Sequence, residues 1–398
     1  MGKRLPLPEF VALTALLFSL IAYGTDAMLP AMEAIAEGVN APSVTRVQLV
    51  IGIFILGTGL GQLLAGPLSD AIGRKPVLIG GILLFMAASL WAAVVESLEW
   101  LLVARMIQGL GVSAPRTVGM AMVRDLYEGR VMASVISLAM TVFMIVPALA
   151  PLIGQGLMLS FGWRSIFLSF LVFGAVSAGW LWLRQGETHA VVNRRPLRLA
   201  TYVSGLSEVM TNRRTVTCIA VLALVYAFIF SYLTSAQQVF VDWLGTGTRF
   251  PFYFAVIAVI SAAASALNAY LVLHLGMWRL STVGIAAVAI TSLTAGTVTF
   301  TGAAEGHELL LFMAWSVSLF FLASLIFANL NALAMEPMGH IAGVASALIG
   351  AVATIGSVAI ATPIGQAYDG TGVPLMFGIG ICASLAFVIA LTIPRNAQ

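Results

Sequence analysis

Residues 10–29 read FVALTALLFSLIAYGTDAML, twenty residues with a single charge, Asp26. At 1.5 Å of rise per residue, twenty residues of helix span about 30 Å, the thickness of a bilayer's hydrocarbon core. A barrel strand would instead alternate over about ten residues. The whole chain has the same character: of 398 residues, 60% are hydrophobic and 9% charged, whereas soluble proteins carry about 25% charged residues. So few charges cannot cover a water-facing surface. The predicted class is an all-α integral membrane protein whose surroundings are the lipid bilayer. Residues 10–30 are read as a retained first helix rather than a signal peptide, because no small-residue cleavage site stands out and further spans follow.

Twelve transmembrane helices are predicted, at about 10–30, 46–66, 76–95, 100–122, 131–155, 165–183, 216–235, 251–273, 281–301, 308–330, 343–365 and 374–393. Connections are short except for 184–215, a polar stretch holding Arg184, Arg194, Arg195, Arg198, Arg213 and Arg214. This divides the chain into a six-helix bundle at 1–183, a cytoplasmic linker at 184–215 and a second six-helix bundle at 216–398. The halves echo one another. MASVISLAM (132–140) resembles VASALIGAV (344–352), and Ser134 with Pro151 maps onto Ser346 with Pro363, both pairs offset by 212 residues. LSDAIGRK (68–75) aligns with LVLHLGMW (271–278) on Gly73 and Gly276. Six-helix repeats suit a transporter that rocks around a central site.

Positive charge sets the orientation. With the N-terminus inside, the inner loops and termini hold Lys3, Arg4, Arg74, Lys75, Arg124, Arg130, the six linker arginines, Arg279 and Arg395, fourteen of the nineteen basic residues. Arg46, Arg164 and Arg249 lie outside, and Arg105 and Arg116 fall within span four. Both termini are therefore expected in the cytoplasm. This one-sided pattern, not nucleic-acid binding, accounts for the net charge of +3. Cys218 and Cys382 sit in apolar runs and imply no disulfide framework.

Charges inside hydrocarbon face a cavity or a partner. Asp26 lies sixteen residues past Phe10, about 24 Å along the helix from the inner face, at a depth similar to Arg105. The two are expected to meet directly or to share a cavity; the alternative is a hydrated Asp26 at the interface, near Pro30 and Glu33. Arg116 either snorkels to the inner headgroups or contacts substrate. Between spans two and three, GPLSDAIGRKP (66–76) supplies Gly66 and Gly73 for close packing, and Asp70 to accept from helix amides or pair with Arg74. This group reads as a cytoplasmic gate. Pro147, Pro151 and Gly154 in span five, with Pro363 and Gly365 in span eleven, form a seam of helix bends. Tyr23, Phe143, Met144, Tyr226, Phe230 and Tyr232 are candidates, with Arg116, to line an adaptable pocket; ordinary packing is their other reading.

These residues resemble the major facilitator superfamily over nearly the full chain. GPLSDAIGRK matches its loop signature between spans two and three, and RMIQGLG (105–111) its Arg-x-x-Gln-Gly-x-Gly pattern. APLIGQ (150–155) is similar to the antiporter signature, with Ala150 and Gln155 in place of glycines, and GWRSIF (162–167) fits the entrance to span six. TDAMLPAM, VRDLYEG (123–129), FSYLTSAQQVFVDWLG (230–245) and AGVASALIG (342–350) resemble the Bcr/CflA group of twelve-span drug–proton antiporters, departing at Ala236–Gln237.

The resemblance implies two six-helix bundles around a central cavity and export by alternating access, driven by proton entry. Asp26 and Arg105 would couple protons to substrate, and Asp70, Gly73 and Arg74 would form the inner gate. The expected partners are protons and a small-molecule substrate, with the chain acting as a monomer in the bacterial inner membrane. The competing reading is a dedicated transporter of one metabolite, siderophore, peptide or amino acid. A channel lacks a continuous polar face here, and a sensor lacks an output domain. His189, His274, His307 and His340 are scattered without metal-ligand spacing. No enzyme activity, metal or cofactor is expected.

Overall fold

The computed structural model describes residues 5–194 and 199–394. Lys3, Arg4, Arg195, Arg198 and Arg395 of the charge argument lie outside them. The described residues contain twelve long helices and no strand. They are α1 (Leu7–Asp26), α2 (Leu49–Ile72), α3 (Arg74–Ala92), α4 (Leu98–Leu126), α5 (Gly129–Phe161) and α6 (Arg164–Arg184). The second set is α7 (Arg213–Gln238), α8 (Phe250–Leu275), α9 (Met277–Phe300), α10 (Glu308–Met335), α11 (Ala342–Gln366) and α12 (Val373–Leu391).

Ten stretches are long and apolar enough to cross a membrane. One of them, Glu308–Gln366, holds both α10 and α11, and α4 is not among them. With that stretch divided and α4 added, the ten become twelve. Arg105 and Arg116 are what lower the hydropathy of α4.

The chain divides into two compact units between Val203 and Ser204. Within each unit the same helices pack together. In the first, α1 lies on α5, α2 and α3 both lie on α4, and α3 lies on α6. In the second, α7 lies on α11, α8 and α9 on α10, and α9 on α12. The aligned glycines are equivalent in backbone as well. Gly73 (φ 111°, ψ 159°) is the single residue between α2 and α3, and Gly276 (φ 75°, ψ 156°) the single residue between α8 and α9. Each ends one helix and starts the next in a conformation that disfavours a side chain.

Small residues bring the helices of the first unit close. A Cβ on Gly61 would stand 2.7 Å from the Leu110 carbonyl oxygen, and one on Gly81 2.7 Å from that of Gly111. This places α4 against α2 and α3 at backbone distance. Ser97 caps α4 by accepting from Trp100 N, and Asn212 caps α7 by accepting from Thr215 N.

Pro147 and Pro151 lie inside α5 and Pro363 inside α11, and both helices run on through them. The two sites also differ, since Pro151 is buried and Pro363 exposed. The stretch 184–215 is not all irregular: it contains a helix, Leu199–Thr211, whose Glu208 meets His340 at 2.5 Å within the second unit.

Candidate functional site

Arg105 is fully buried and organises the first four helices. Its Nη2 donates to Gly24 O on α1 (3.0 Å), its Nε to Val50 O on α2 (3.2 Å), and its Nη1 to Gln108 Oε1 on α4 (2.8 Å). Gln108 Nε2 then donates to Ser89 Oγ on α3 (2.7 Å), which donates to Phe85 O (2.7 Å). The guanidinium lies 4.1 Å from the Phe54 ring centroid. A planar cation with five donors is suited to this work: it satisfies several acceptors and stacks on an aromatic face together.

Asp26 ends α1, two residues past the Gly24 carbonyl that Arg105 holds. It is buried, at 5% exposure, and forms no ion pair among the described residues. The expected direct meeting of Asp26 and Arg105 does not occur, because the arginine's donors are directed to backbone carbonyls and Gln108. Nor is Asp26 a hydrated interfacial carboxylate. Beside it, α1 and α5 touch backbone to backbone: a Cβ on Gly154 would overlap the Ala27 carbonyl oxygen.

At the opposite end of the first unit, Arg74 is the centre of a second polar group. It is 7% exposed. Its Nη1 donates to Asp70 Oδ1 (2.5 Å) and Ser69 Oγ (2.7 Å), and its Nε to Asp125 Oδ2 (3.0 Å) at the end of α4. Ser69 in turn donates to Gly66 O (2.6 Å). Asp70 therefore pairs with Arg74. The helix amides go to another carboxylate, since Arg74 N and Lys75 N donate to Glu187 at 2.9 and 3.1 Å. Glu187 also accepts from Thr188 N and His189 N, and Thr188 Oγ1 donates to Asp125 (3.1 Å). Negative charge at a helix N-terminus is favoured by both the free amides and the helix dipole.

Asp125 and Glu187 are absent from the sequence-based site. A carboxylate in the last turn of α4 opposes the helix dipole, which signals a cationic partner for Asp125. Glu187 offers a weaker signal, a carboxylate within the basic stretch after span six.

The aromatic candidates separate. Tyr232 is 0% exposed, donates to Ser316 Oγ (2.9 Å) and sits among Phe254, Phe312, Trp315 and Phe320. Tyr23 bonds Ser169 Oγ (2.8 Å) and packs on Phe170 and Phe173. Both are buried core residues, which favours packing over pocket lining as their reading. Phe143 is partly buried, packed with Met120 and Met140 on Ala15, Phe18 and Ala139. The Met144 side chain lies outside the described residues. Tyr226 and Phe230 are half-buried neighbours, with ring centroids 6.2 Å apart, and Tyr226 also meets Phe327. Arg116 is exposed. Gly365 is buried in α11. Among the described residues, no group of three His, Cys, Asp or Glu side chains is placed to hold a metal.

The family model of the Major Facilitator Superfamily matches residues 13–361. An uncharacterized MFS-type transporter, YdgK of Bacillus subtilis (strain 168), is 30% identical over 100% of this chain and 98% of that protein. A bicyclomycin resistance protein homolog of Haemophilus influenzae is 26% identical over 95% of this chain and 94% of its own length. Among solved structures, a D-xylose–proton symporter covers 98% of both chains with a TM-score of 0.77 at 16% identity, a likeness of fold alone. The chain belongs to the major facilitator superfamily. It is a multi-pass membrane transport protein of small molecules, not an enzyme.

Proposed function

We propose that this protein is a proton-coupled exporter of small amphipathic compounds, an antiporter of the Bcr/CflA kind. The observation that carries the reading is Asp26: a buried carboxylate with no ion pair among the described residues, two residues from the carbonyl that anchors Arg105. Burial penalises the charged form of a carboxyl group, so proton binding and release there change the cost of enclosing it. A group of that kind links protonation to a conformational equilibrium. The name of the Haemophilus relative, a bicyclomycin resistance protein homolog, favours drug export.

In this reading Asp26 carries the proton and Arg105 fixes the helices around it. Asp70, Gly73 and Arg74, joined by Asp125 and Glu187, form the cytoplasmic gate. Both termini lie in the cytoplasm of a bacterial cell in this reading, which the one-sided distribution of basic residues supports, and the chain acts as a monomer in the inner membrane. The test is transport into inverted vesicles under an imposed pH gradient, using a panel of drugs and metabolites. Accumulation that collapses with the gradient supports the exporter; accumulation indifferent to it refutes proton coupling.

A further inference from the structure

Arg116 lies in α4 eleven residues after Arg105. Eleven residues make about three turns, so the two arginines share a face to within about 20° and stand about 16 Å apart along the axis. That face is turned to α1 and α2. Arg105 on it bonds Gly24 O and Val50 O, and Gly119 at its edge would bring a Cβ to 3.0 Å from Phe18 of α1. Along the face, Arg105, Gly109 and Val112 are buried, whereas Arg116 is exposed. The face is sealed as far as Val112 and opens at Arg116.

Among the described residues the arginine has no fixed counter-ion. It forms no ion pair among the described residues. Every carboxylate on the six helices of this unit sits near a helix end, Glu9 and Asp26 on α1, Asp70 on α2, Glu99 and Asp125 on α4, and α3, α5 and α6 carry none. Snorkelling to the inner headgroups would run against the side chain's own direction. Arg116 is ten residues from the C-terminal end of α4, about 15 Å, and Cα–Cβ bonds tilt toward the helix N-terminus, away from that end. A permanent charge at this depth, on a face directed at other helices, requires a partner.

We propose that Arg116 recognises the anionic group of the transported compound, so that this carrier's substrates are amphipathic anions bearing a carboxylate, sulfonate or phosphate. The inference rests on the reading of the chain as an exporter of amphipathic compounds and specifies their charge. The guanidinium fork takes a planar or tetrahedral oxyanion through paired donors. One turn further along α4, Met120 is partly buried and packs with Phe143 on the Phe18 cluster. They offer the apolar part of the substrate an adaptable surface.

Naphthalene-1-sulfonate and 1-naphthylmethylammonium share one ring system and are opposite in charge, and equilibrium dialysis of the purified full chain in a neutral detergent, against protein-free micelles, compares them without any gradient. The wild type is expected to bind the sulfonate about tenfold more tightly than the ammonium. Arg116→Gln removes that preference and Arg116→Lys keeps most of it. Equal binding of both probes by the wild type overturns the proposal without any variant, as does an Arg116→Gln protein that retains the preference. Because no gradient is applied, these results stand apart from gradient-driven transport, whose failure would count against proton coupling alone.

Discussion

Gly154 of α5 lies directly against the Ala27 carbonyl oxygen at the end of α1. No room exists there for a methyl group, and the obstacle is backbone. Gly154→Ala should therefore destabilise the protein by about 3 kcal/mol, the upper end for an overpacked site. Gly156, in the same helix, has nothing within 4 Å of a built Cβ. Gly156→Ala should leave stability unchanged or raise it slightly through helix propensity. Thermal unfolding of the two variants in the same detergent checks the contrast, and equal midpoints would refute it.

Asp26 precedes that contact by one residue on the α1 side. Asp26→Asn keeps the size and loses the titration. Gradient-driven transport should fall at least about tenfold, the effect of losing roughly 1.4 kcal/mol of coupling, while the variant stays folded. Wild-type accumulation by well-folded Asp26→Asn protein would remove Asp26 as the proton carrier.

Lysine should replace Arg105 poorly. The arginine serves Gly24 O, Val50 O and Gln108 and stacks on Phe54; one ammonium group cannot reach all of these. Each lost charge-assisted bond is worth about 1.5–3 kcal/mol, so Arg105→Lys should unfold at a clearly lower temperature although charge is retained. Loss of helical circular dichroism on heating, for wild type and variant in the same detergent, measures the difference, and coincident melting curves would refute it.

At the other polar group, Glu187→Gln should loosen the start of α3. Gln retains a carbonyl acceptor but loses the charge that favours the helix N-terminus, a loss of about 1 kcal/mol. Amide exchange at Arg74, Lys75, Thr188 and His189 should accelerate together. Unchanged exchange at Arg74 and Lys75 would show that Glu187 does not hold them.

Asp70→Asn should slow the transport cycle more than it weakens substrate binding. Arg74 keeps Asp125 and Ser69 when Asp70 loses its charge, so the substitution should shift the gate and not dismantle it. Distances between spin labels on helix ends at that face measure the shift. Constant distances with collapsed substrate affinity would count against the gate.

Hydropathy locates eleven of the twelve long helices, because a bilayer demands long apolar runs with their backbone bonds satisfied internally; α4, which carries Arg105 and Arg116, falls outside them. Gly73 and Gly276 could be matched from sequence because the conformation between two abutting helices favours glycine. The partners of Arg105 could not be found in this way: carbonyl oxygens occur at every residue, and no residue type marks the two it uses. Matching Asp26 to Arg105 by depth could not separate a direct meeting from a shared cavity, because the rule is blind to backbone acceptors. Glu187 was missed for a similar reason. It lies 113 residues from Arg74 and is brought there by the packing of α3 against α6, a relation with no local pattern. The two readings of Tyr23 and Tyr232, lining and packing, could not be separated in sequence, because a buried hydroxyl paired with serine looks the same there as one facing a cavity.

The bonds of Arg105 also bear on how the protein is made. An arginine at the middle of a lone membrane helix costs about 2.5–3.5 kcal/mol on insertion. The groups that relieve it, Gly24 and Val50 directly and Ser89 through Gln108, all precede α4 in the chain. The ribosome has therefore delivered the acceptors before the donor appears. Order along the gene doubles as a schedule of assembly: three helices that touch one another little are in place first, and the fourth, on which α2 and α3 both lie, draws them together.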